Sequence, residues 1–330
     1  MKFFALASLL ALAAASPTPT RPESESPRLA KRATITDAAN IGYASLNGGT
    51  KGGAGGTTTT VSTLAQFTAA VDEKNSNPTV VVVNGVIEGN TKVRVGSNRT
   101  IVGLPGSGFK GVGLHFRRQS NLILRNIVSS FVVAENGDAL KIEESTNVWV
   151  DHCEFFSDLT HDKDFYDGLV DSSHGSDFIT ISNTYFHDHF KASLVGHSDN
   201  NEADDKGKLH ITYANNVWKN INSRAPLLRF GTAHIFNSYF ENGSTAINTR
   251  MGAQALVESN VFKNVEFPVT SRDSKEVGYA TLNDNDLGGG TNDAPAGSFS
   301  PSSLEYKYTL LGSSEVAATV PGQAGAILTF

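Results

Sequence analysis

Short stretches of alternating apolar and polar residues recur along the middle and the C-terminal half of the chain. Each has two apolar residues one position apart, and a polar anchor residue follows two positions after the second. The six anchors are Asn126, His152, Asn183, Asn215, Asn237 and Ser259. Alternation with a period of two predicts β-strands, and recurrence every 20 to 50 residues or so (here 22 to 32) predicts stacked structural units.

A second position of the repeat lies three residues after each anchor and is aromatic in five of the six units. These positions are Ser129, Phe155, Phe186, Trp218, Phe240 and Phe262. Stacked strands lie about 4.8 Å apart, so equivalent residues of successive units become neighbours. We therefore expect the anchors to stack at one corner of the fold.

Several repeat architectures can be compared with this pattern. Helical repeats are excluded because no unit contains a long segment with a period of 3.6 residues. A propeller would need about four strands per unit and a recurrent Trp-Asp signature, which is absent. Short strands joined by turns of variable length favour a parallel β-helix. The predicted fold class is therefore all-β, a single-stranded parallel β-helix, with an antiparallel sandwich as the alternative.

The first 32 residues have the composition of a processed leader. A lysine precedes an apolar run rich in Ala and Leu, and small residues follow, which is typical of a secretory signal peptide. A segment rich in Pro, Ser, Thr and Glu then leads to the dibasic pair Lys31-Arg32. We predict a signal peptide at 1–16, a propeptide at 17–32 and one β-helix domain at 33–330, hence a secreted protein. A signal peptide followed by a flexible linker is the alternative.

The net charge limits the partners that this protein can bind. It is −6 at pH 7 and becomes more negative if the leader is removed, so we expect no nucleic-acid partner. No membrane partner is expected either, because no later run approaches the roughly 20 apolar residues of a membrane span. A polyanionic substrate would need a local basic cluster or a bound cation.

Three single positions bear on the predicted secretion. Cys153 is the only cysteine, so no intrachain disulfide forms, and its apolar surroundings predict a buried, inert thiol. Asn98 and Asn242 each begin an Asn-x-Ser/Thr sequence. In a secreted chain, both are predicted glycosylation sites.

Four basic residues hold matching positions in neighbouring units. Lys191 lies eight residues after its anchor and Arg224 lies nine after the next anchor. Arg229 and Arg250 follow their anchors by fourteen and thirteen residues. Because successive coils stack, we expect each pair to lie on adjacent coils and all four residues to share one face.

Three aspartates, Asp138, Asp167 and Asp171, are predicted to lie in neighbouring turns of the same face. Carboxylates are the oxygen ligands that Ca²⁺ prefers, and the ion takes six to eight oxygens, some of them from water or substrate. The Asp-x-x-x-Asp spacing is weak evidence alone, but its agreement with the coil geometry strengthens a calcium site. Close aspartates could also serve as acid and base, so hydrolysis stays open.

Two other groups are interpreted as structural. His187 and His189 lack a third ligand nearby in sequence, so hydrogen bonding is favoured over metal binding. The segment His161-Asp162-Lys163-Asp164 is interpreted as a solvated loop.

Five segments in order resemble pectate lyases of the first polysaccharide lyase family, of the secreted fungal type. They are Ser97-Asn98-Arg99-Thr100-Ile101-Val102-Gly103, Val148-Trp149-Val150-Asp151-His152-Cys153, Asp167-Gly168-Leu169-Val170-Asp171, Arg224-Ala225-Pro226-Leu227-Leu228-Arg229 and Pro268-Val269-Thr270-Ser271-Arg272. The resemblance covers most of the predicted mature chain. It implies a right-handed parallel β-helix and Ca²⁺-dependent β-elimination of α-1,4-linked polygalacturonate.

The resemblance also implies a role for each candidate residue. Asp138, Asp167 and Asp171 match the Ca²⁺ ligands, Arg224 matches the residue that abstracts the C5 proton, and Lys191, Arg229 and Arg250 match residues that contact substrate carboxylates. Asn136 stands where some members have another acidic residue, which leaves the number of ions open. The C5 proton lies α to a carboxylate, so Ca²⁺ with Lys191 or Arg229 could hold the developing enolate charge.

Three other functions remain as alternatives. A pectin lyase would cleave methyl-esterified polymer without Ca²⁺, but in that relative the carboxylate ligands are typically lost. A polygalacturonase-like hydrolase would release saturated ends. A non-catalytic carbohydrate-binding β-helix is disfavoured by the complete set of site residues. We expect a monomer.

Overall fold

The computed structural model describes residues 31–330, so the predicted signal peptide and all but two residues of the predicted propeptide lie outside the described residues. The strands are β1 (Lys31–Arg32), β2 (Thr57–Val61), β3 (Thr79–Val83), β4 (Val86–Arg94), β5 (Arg99–Gly103), β6 (Gly108–Arg117), β7 (Ser120–Arg125), β8 (Val128–Ser130), β9 (Leu140–Glu143), β10 (Thr146–Asp151), β11 (Glu154–Phe156), β12 (Val170–Ser173), β13 (Asp177–Ser182), β14 (Tyr185–Lys191), β15 (Leu194–Val195), β16 (His210–Ala214), β17 (Val217–Ser223), β18 (Leu227–Arg229), β19 (Thr232–Phe236), β20 (Tyr239–Arg250), β21 (Gln254–Glu258), β22 (Val261–Thr270), β23 (Tyr279–Asn283) and β24 (Leu328–Thr329). The helices are α1 (Leu64–Ala70), α2 (Glu202–Asp205) and α3 (Ser313–Thr319), with 3₁₀ turns at Tyr43–Ser45, Ala134–Asn136 and Pro301–Ser303.

The strands form two large parallel sheets wound from successive coils. The first sheet, called face 1, has ten strands in the order β2-β3-β5-β7-β10-β13-β16-β19-β21-β23. The second sheet bends along its length. Its part containing β8, β11, β14 and β17 is called face 2, and its part containing β9, β12, β15 and β18 is called face 3. The long strands β6, β20 and β22 run through both parts. The structure therefore confirms a parallel β-helix of ten turns and excludes the antiparallel sandwich.

The predicted anchors form the corner between face 1 and face 2. All six have left-handed backbone conformation, with φ between 49° and 57°: Asn126, His152, Asn183, Asn215, Asn237 and Ser259. Asparagine tolerates this conformation better than most residues. The side-chain amide of Asn237 donates to Asn215 at 3.2 Å, and that of Asn215 donates to Asn183 at 3.4 Å. The expected stacking of anchors is thus confirmed for these three coils.

The aromatic residues of the repeat stack inside the solenoid. Ring centroids of Phe155 and Phe186 are 5.6 Å apart, and those of Phe186 and Trp218 are 4.1 Å apart. Trp218 and Phe240 follow at 5.9 Å, and Phe240 and Phe262 at 4.5 Å. All five side chains are buried. Offset and parallel contacts of this kind add to the burial energy, so one repeated residue fixes the register of five coils.

A second column of left-handed residues lies five positions after the anchors, and the sequence analysis did not identify it. The column consists of Asp188, Asn220, Asn242 and Asn264, and we call it the amide column. Each asparagine donates its side-chain N–H to the residue of the previous coil, at 2.8, 3.1 and 3.2 Å in that order. These bonds link four successive coils along face 2.

Cys153 is buried among core residues, and burial raises the pKa of its thiol to about 12. The predicted inert thiol is therefore confirmed. Among residues 31–330, no helix combines the length and apolar character needed to cross a membrane.

Candidate functional site

The basic residues gather where face 2 ends and face 3 begins. Lys191, the last residue of β14, lies opposite Ser223 on the next coil, and Arg224 follows directly. Arg229 and Arg250 are themselves paired residues of neighbouring strands. Both predicted relations between adjacent coils are thus confirmed, because distances from the anchors that differ by one residue place the members of each pair next to each other on successive coils.

Asp138 and Asp171 flank one point in the same region. The N–H of Gly168 donates to Asp138 Oδ1 at 2.9 Å. A Cβ atom on Gly168 would lie 2.5 Å from Asp171 Oδ1 and 2.8 Å from Asp138 Oδ1. Glycine is therefore required by the close approach of both carboxylates. Asp171 Oδ1 also accepts the N–H of Leu194 at 2.9 Å.

These two carboxylates are electrostatically unsatisfied. Asp138 is 3% exposed and Asp171 is 9% exposed. Burial raises the pKa of Asp138, and the charge of Asp167 raises it further. Burial and the charge of Asp138 raise the pKa of Asp171 well above its ordinary value. Two buried carboxylates that repel each other are stabilised by a cation held between them.

Asp167 has a different environment from the other two predicted ligands. Its carboxylate lies 3.6 Å from Lys191 Nζ, which also contacts Asp164 at 2.9 Å. Within residues 31–330, no three His, Cys, Asp or Glu side chains are arranged as a complete metal cage. Asp138 and Asp171 could therefore hold a hard cation such as Ca²⁺ only with further oxygens, from Asp167, water or substrate.

His189 supports the backbone of Asp167. His189 Nε2 donates to the carbonyl of Asp167 at 2.6 Å, and the hydroxyl of Ser157 donates to Nδ1 at 2.5 Å. Burial lowers the pKa of His189 to about 4, so the neutral ring supplies one donor and one acceptor. His187 bonds to Glu154 and Asp188, and the structural interpretation of both histidines is confirmed.

The basic side chains line a trough of about 350 Å³, called the cationic trough. Lys163, Lys191, Arg224, Arg229 and Arg250 contribute to it, and its one acidic lining residue is Asp273. Such a surface attracts a polyanion although the whole protein is negative.

Two of these arginines are neighbours in the sheet. Burial and the charge of Arg229 lower the pKa of Arg250, and Arg250 Nε is buried with no hydrogen-bond partner among residues 31–330. Arg229 Nε bonds to Asp199 at 2.6 Å. Arg250 Nη2 lies 3.6 Å from the exposed Asp273, so the free Nε of Arg250 is the donor of this pair that suits a bound carboxylate.

Arg224 is a lining residue of the cationic trough that also influences the two buried aspartates. Its positive charge acts on both Asp138 and Asp171. Its backbone has φ of 60°, a left-handed conformation that is unusual for a residue with a long side chain. Its carbonyl accepts the N–H of Ser193 at 2.7 Å, while its guanidinium makes no hydrogen bond or ion pair within the described part of the chain. Strained residues with free polar groups concentrate at functional sites.

Three features of this region were missed or misread in the sequence. Lys141 Nζ lies 3.8 Å from Asp138, and only its spacing of three residues could have indicated this contact. The loop containing Asp164 is exposed but is not merely solvated, because Asp164 holds Lys191. The side chain of Asn136 donates to Asn90, a contact that no spacing in the sequence indicated.

Comparisons with known proteins agree with this geometry. A family model described as pectate lyase matches residues 6–326. Pectate lyase B of Colletotrichum gloeosporioides is 55% identical over 319 residues, which cover 95% of this chain and 94% of that protein. Pectate lyase A of Aspergillus niger is 52% identical over 303 residues, or 91% of each chain.

A solved structure gives the same result at the level of the fold. The pectate lyase Bsp165PelA from Bacillus sp. N165, determined in complex with trigalacturonate, has a TM-score of 0.79 and 32% identity. The match covers 87% of this chain and 98% of that one. Because the family model and the fungal relatives match nearly the whole sequence, the resemblance noted in the sequence is confirmed, and the chain belongs to the pectate lyase family.

Proposed function

We propose that this protein is a Ca²⁺-dependent lyase that cleaves α-1,4-linked polygalacturonate by β-elimination and leaves 4,5-unsaturated ends. The observation that carries the proposal is the position of Arg224, which lines a trough with four other basic residues and whose charge acts on a buried pair of aspartates. The trigalacturonate bound to a relative of the same fold supports an oligogalacturonate as the ligand.

Each basic residue has a task in this proposal. Lys191, Arg229 and Arg250 bind carboxylates of the polymer and fix the position of the sugar at Arg224. The neutral guanidine of Arg224 accepts the C5 proton, the electron pair of that bond forms the C4–C5 double bond, and the C4 oxygen leaves with the pair of the broken bond. Solvent protonates the leaving oxygen.

The aspartates have a binding role. Asp138 and Asp171, completed by Asp167, would hold Ca²⁺, which supplies positive charge for the carboxylate of the reacting sugar. His189 keeps the backbone at Asp167 in place through its 2.6 Å hydrogen bond. Because guanidine is a base only in its neutral form, we expect the rate to rise towards alkaline pH.

The ultraviolet absorbance of polygalacturonate incubated with the protein tests this proposal. Growth of the conjugated-uronide band with Ca²⁺, abolished by chelator, is the expected result. Growth that chelator does not affect would point to a pectin-lyase-like reaction and refute the metal assignment. New reducing ends without absorbance would mean hydrolysis, and binding without either signal would mean a non-catalytic protein.

We also propose that the protein is a secreted monomer, cleaved after Arg32 and glycosylated at Asn98 and Asn242. Within residues 31–330, Lys31–Arg32 pairs with Leu328–Thr329 as a two-residue strand, and this strand is the part of the described structure that cleavage after Arg32 would remove. The intact mass and the solution size of the secreted protein test these points. A mass without glycan, or a mature chain that starts elsewhere, would contradict them.

A further inference from the structure

Two hydroxyl groups meet inside the solenoid, on the coils that carry Lys191 and Arg224. Tyr213 and Ser193 are both fully buried, and Tyr213 Oη lies 2.8 Å from Ser193 Oγ. The ring of Tyr213 packs in the core against Trp218, with the two ring centroids 5.7 Å apart. The two residues are 20 positions apart in the sequence, so the coiling of the chain brings their side chains together.

Tyr213 departs from an aliphatic row of the core. It stands at the second apolar position before the anchor, and neighbouring coils pair at this position in face 1. The residues there in the six repeat units are Leu124, Val150, Ile181, Tyr213, Ile235 and Val257. One coil therefore carries a phenol hydroxyl where the other five carry an aliphatic side chain.

Ser193 departs from a second apolar row in the same way. It directly precedes β15 and aligns with buried residues of face 3 on the coils before and after it. These residues are Leu114, Leu140, Val170, Pro226, Ile247 and Val269. A buried hydroxyl is less favourable than an aliphatic group unless it is hydrogen-bonded, and such departures from a local rule are expected at functional sites.

The hydroxyl of Ser193 completes an interrupted strand pairing. In the described structure, β12 and β15 pair at a single position. Next to it, the N–H of Leu194 donates to the carboxylate of Asp171 at 2.9 Å, although a regular parallel ladder would direct this N–H to the carbonyl of Val170. That carbonyl accepts the hydroxyl of Ser193 at 2.5 Å. Leu194 can therefore hold Asp171 without leaving a buried carbonyl unpaired.

The main chain of Ser193 links this strand to the coil that carries Arg224. The N–H of Ser193 donates to the carbonyl of Arg224 at 2.7 Å, and its carbonyl accepts the N–H of Leu227 at 3.0 Å. Because the serine hydroxyl donates to Val170, the hydroxyl of Tyr213 must donate to Ser193 Oγ. Tyr213 thereby fixes the orientation of the serine side chain.

We propose that Ser193 and Tyr213 are positioning residues for the reaction. Their linked hydroxyl groups hold the main chain before Asp171 against the coil of Arg224, so that the carboxylate of Asp171 stays beside Asp138 in the orientation that binds Ca²⁺. Neither side chain lines the cationic trough, so the pair acts through the metal ligand and does not touch the substrate. The inference rests on the proposed function, since it assumes that Asp171 is a calcium ligand.

The double variant Ser193→Ala/Tyr213→Phe tests this role. It removes both hydroxyl groups together and leaves neither without its partner, so the fold should be retained, as a melting curve will show. Calorimetric titration with Ca²⁺, without substrate, should give a dissociation constant about tenfold higher than that of the wild type. Elimination should need correspondingly more Ca²⁺ for its half-maximal rate, while KM for polygalacturonate at saturating Ca²⁺ stays unchanged.

Ser238→Ala is the matched control. Ser238 is equally buried, and its hydroxyl donates to the carbonyl of Phe236 at 3.2 Å at the anchor corner. This variant also loses a buried hydroxyl that is bonded to the main chain. It should therefore lower the melting temperature and leave the affinity for Ca²⁺ at the wild-type value.

The outcomes separate this inference from the proposed function. Equal Ca²⁺ affinity in the double variant and the wild type would overturn the positioning role and leave the proposed function intact. If the wild type itself bound no Ca²⁺, the proposed function would fail and the positioning role would fail with it. If the double variant did not fold, Tyr213→Phe would decide: weaker Ca²⁺ binding than by Ser238→Ala supports the role, and equal binding refutes it.

Discussion

The molecule buries charged side chains at two different corners of its coil. At the anchor corner, Asp151 accepts hydrogen bonds from Arg125 at 2.8 Å, His152 at 2.7 Å, Ser182 at 2.8 Å and Asn183 at 2.9 Å. Burial alone would raise the pKa of this carboxyl, but His152 and Arg125 outweigh it and hold the pKa at about 2. We call this group the paired cluster.

The other corner carries Asp138, Asp171, Arg224 and Arg250, which we call the unpaired cluster. Its aspartates have raised pKa values because burial and mutual repulsion are not offset. Arg250 Nε is buried without a hydrogen-bond partner among the described residues, and the ion pair of its Nη2 with Asp273 at 3.6 Å is to an exposed carboxylate. Both clusters contain buried aspartates and arginines, so residue type does not separate them. The difference is that folding satisfies Asp151, whereas the unpaired cluster needs ions from solution.

Substitution of Arg224 by lysine should have the largest effect on this comparison. Lysine keeps the positive charge but lacks the guanidinium geometry, so proton transfer is lost and kcat on polygalacturonate should fall about 10³-fold. The melting temperature should not change, because Arg224 makes no side-chain bond within residues 31–330. The measurement is the initial rate of unsaturated product at saturating substrate.

Arg118→Lys is the matched control for this substitution. Arg118 is an exposed arginine that is paired with Glu144 and lies outside the cationic trough. The activity of the Arg118→Lys variant should therefore equal that of the wild type. If Arg224→Lys kept more than about a tenth of the wild-type rate, Arg224 would not be the proton acceptor.

A substitution in the paired cluster should lower the stability of the protein and leave its activity unchanged. Asp151→Asn removes the negative charge that faces Arg125 and His152 and weakens four buried hydrogen bonds, while Arg125 keeps Asp37 at 2.8 Å. The free energy of unfolding should therefore fall by about 3 kcal/mol. Denaturant titration measures this loss, and kcat at low temperature should be retained. Asp204→Asn, an exposed control, should change the free energy of unfolding by less than about 0.5 kcal/mol. A loss of activity at full stability would show that Asp151 acts in the reaction.

The fold was predictable because local pattern and global structure agree. Asn183, Asn215 and Asn237 recur with two apolar positions before them and an aromatic residue after them, and one repeated motif determines each coil. The amide column repeats just as regularly at Asn220, Asn242 and Asn264, but it was missed. Its residues lie within strands, where a polar residue looks like an ordinary solvent-facing position.

The candidate site was predictable in its residues but not in its contacts. Distances from the anchors that differ by one residue in each pair placed Lys191 beside Arg224 and Arg229 beside Arg250. The ion pair of Lys191 with Asp164 and the support of Asp167 by His189 depend on the path of the loop between β11 and β12. That loop belongs to one coil only, so its conformation cannot be predicted from the repeated pattern.

The pH dependence of stability should have opposite sign in the two clusters. This is the smallest of the expected effects, and it tests the comparison between the clusters directly. Asp151 has a pKa of about 2 in the folded protein and 3.8 ordinarily. Its stabilisation is therefore present above about pH 4 and is lost as the pH falls towards 2, by about 2 kcal/mol in total. Asp151→Asn should remove this part of the acid transition.

Asp171 should show the reverse dependence in calcium-free buffer. Its pKa is raised in the folded protein, so its contribution is most favourable below about pH 4 and is lost as the pH rises through the folded pKa. Asp171→Asn should abolish that decline and make the calcium-free protein more stable than the wild type at neutral pH. Calcium should stabilise the wild type at neutral pH but not Asp171→Asn. If denaturant titrations from pH 2 to 8 gave both variants the same pH profile, the distinction between a paired and an unpaired cluster would be wrong.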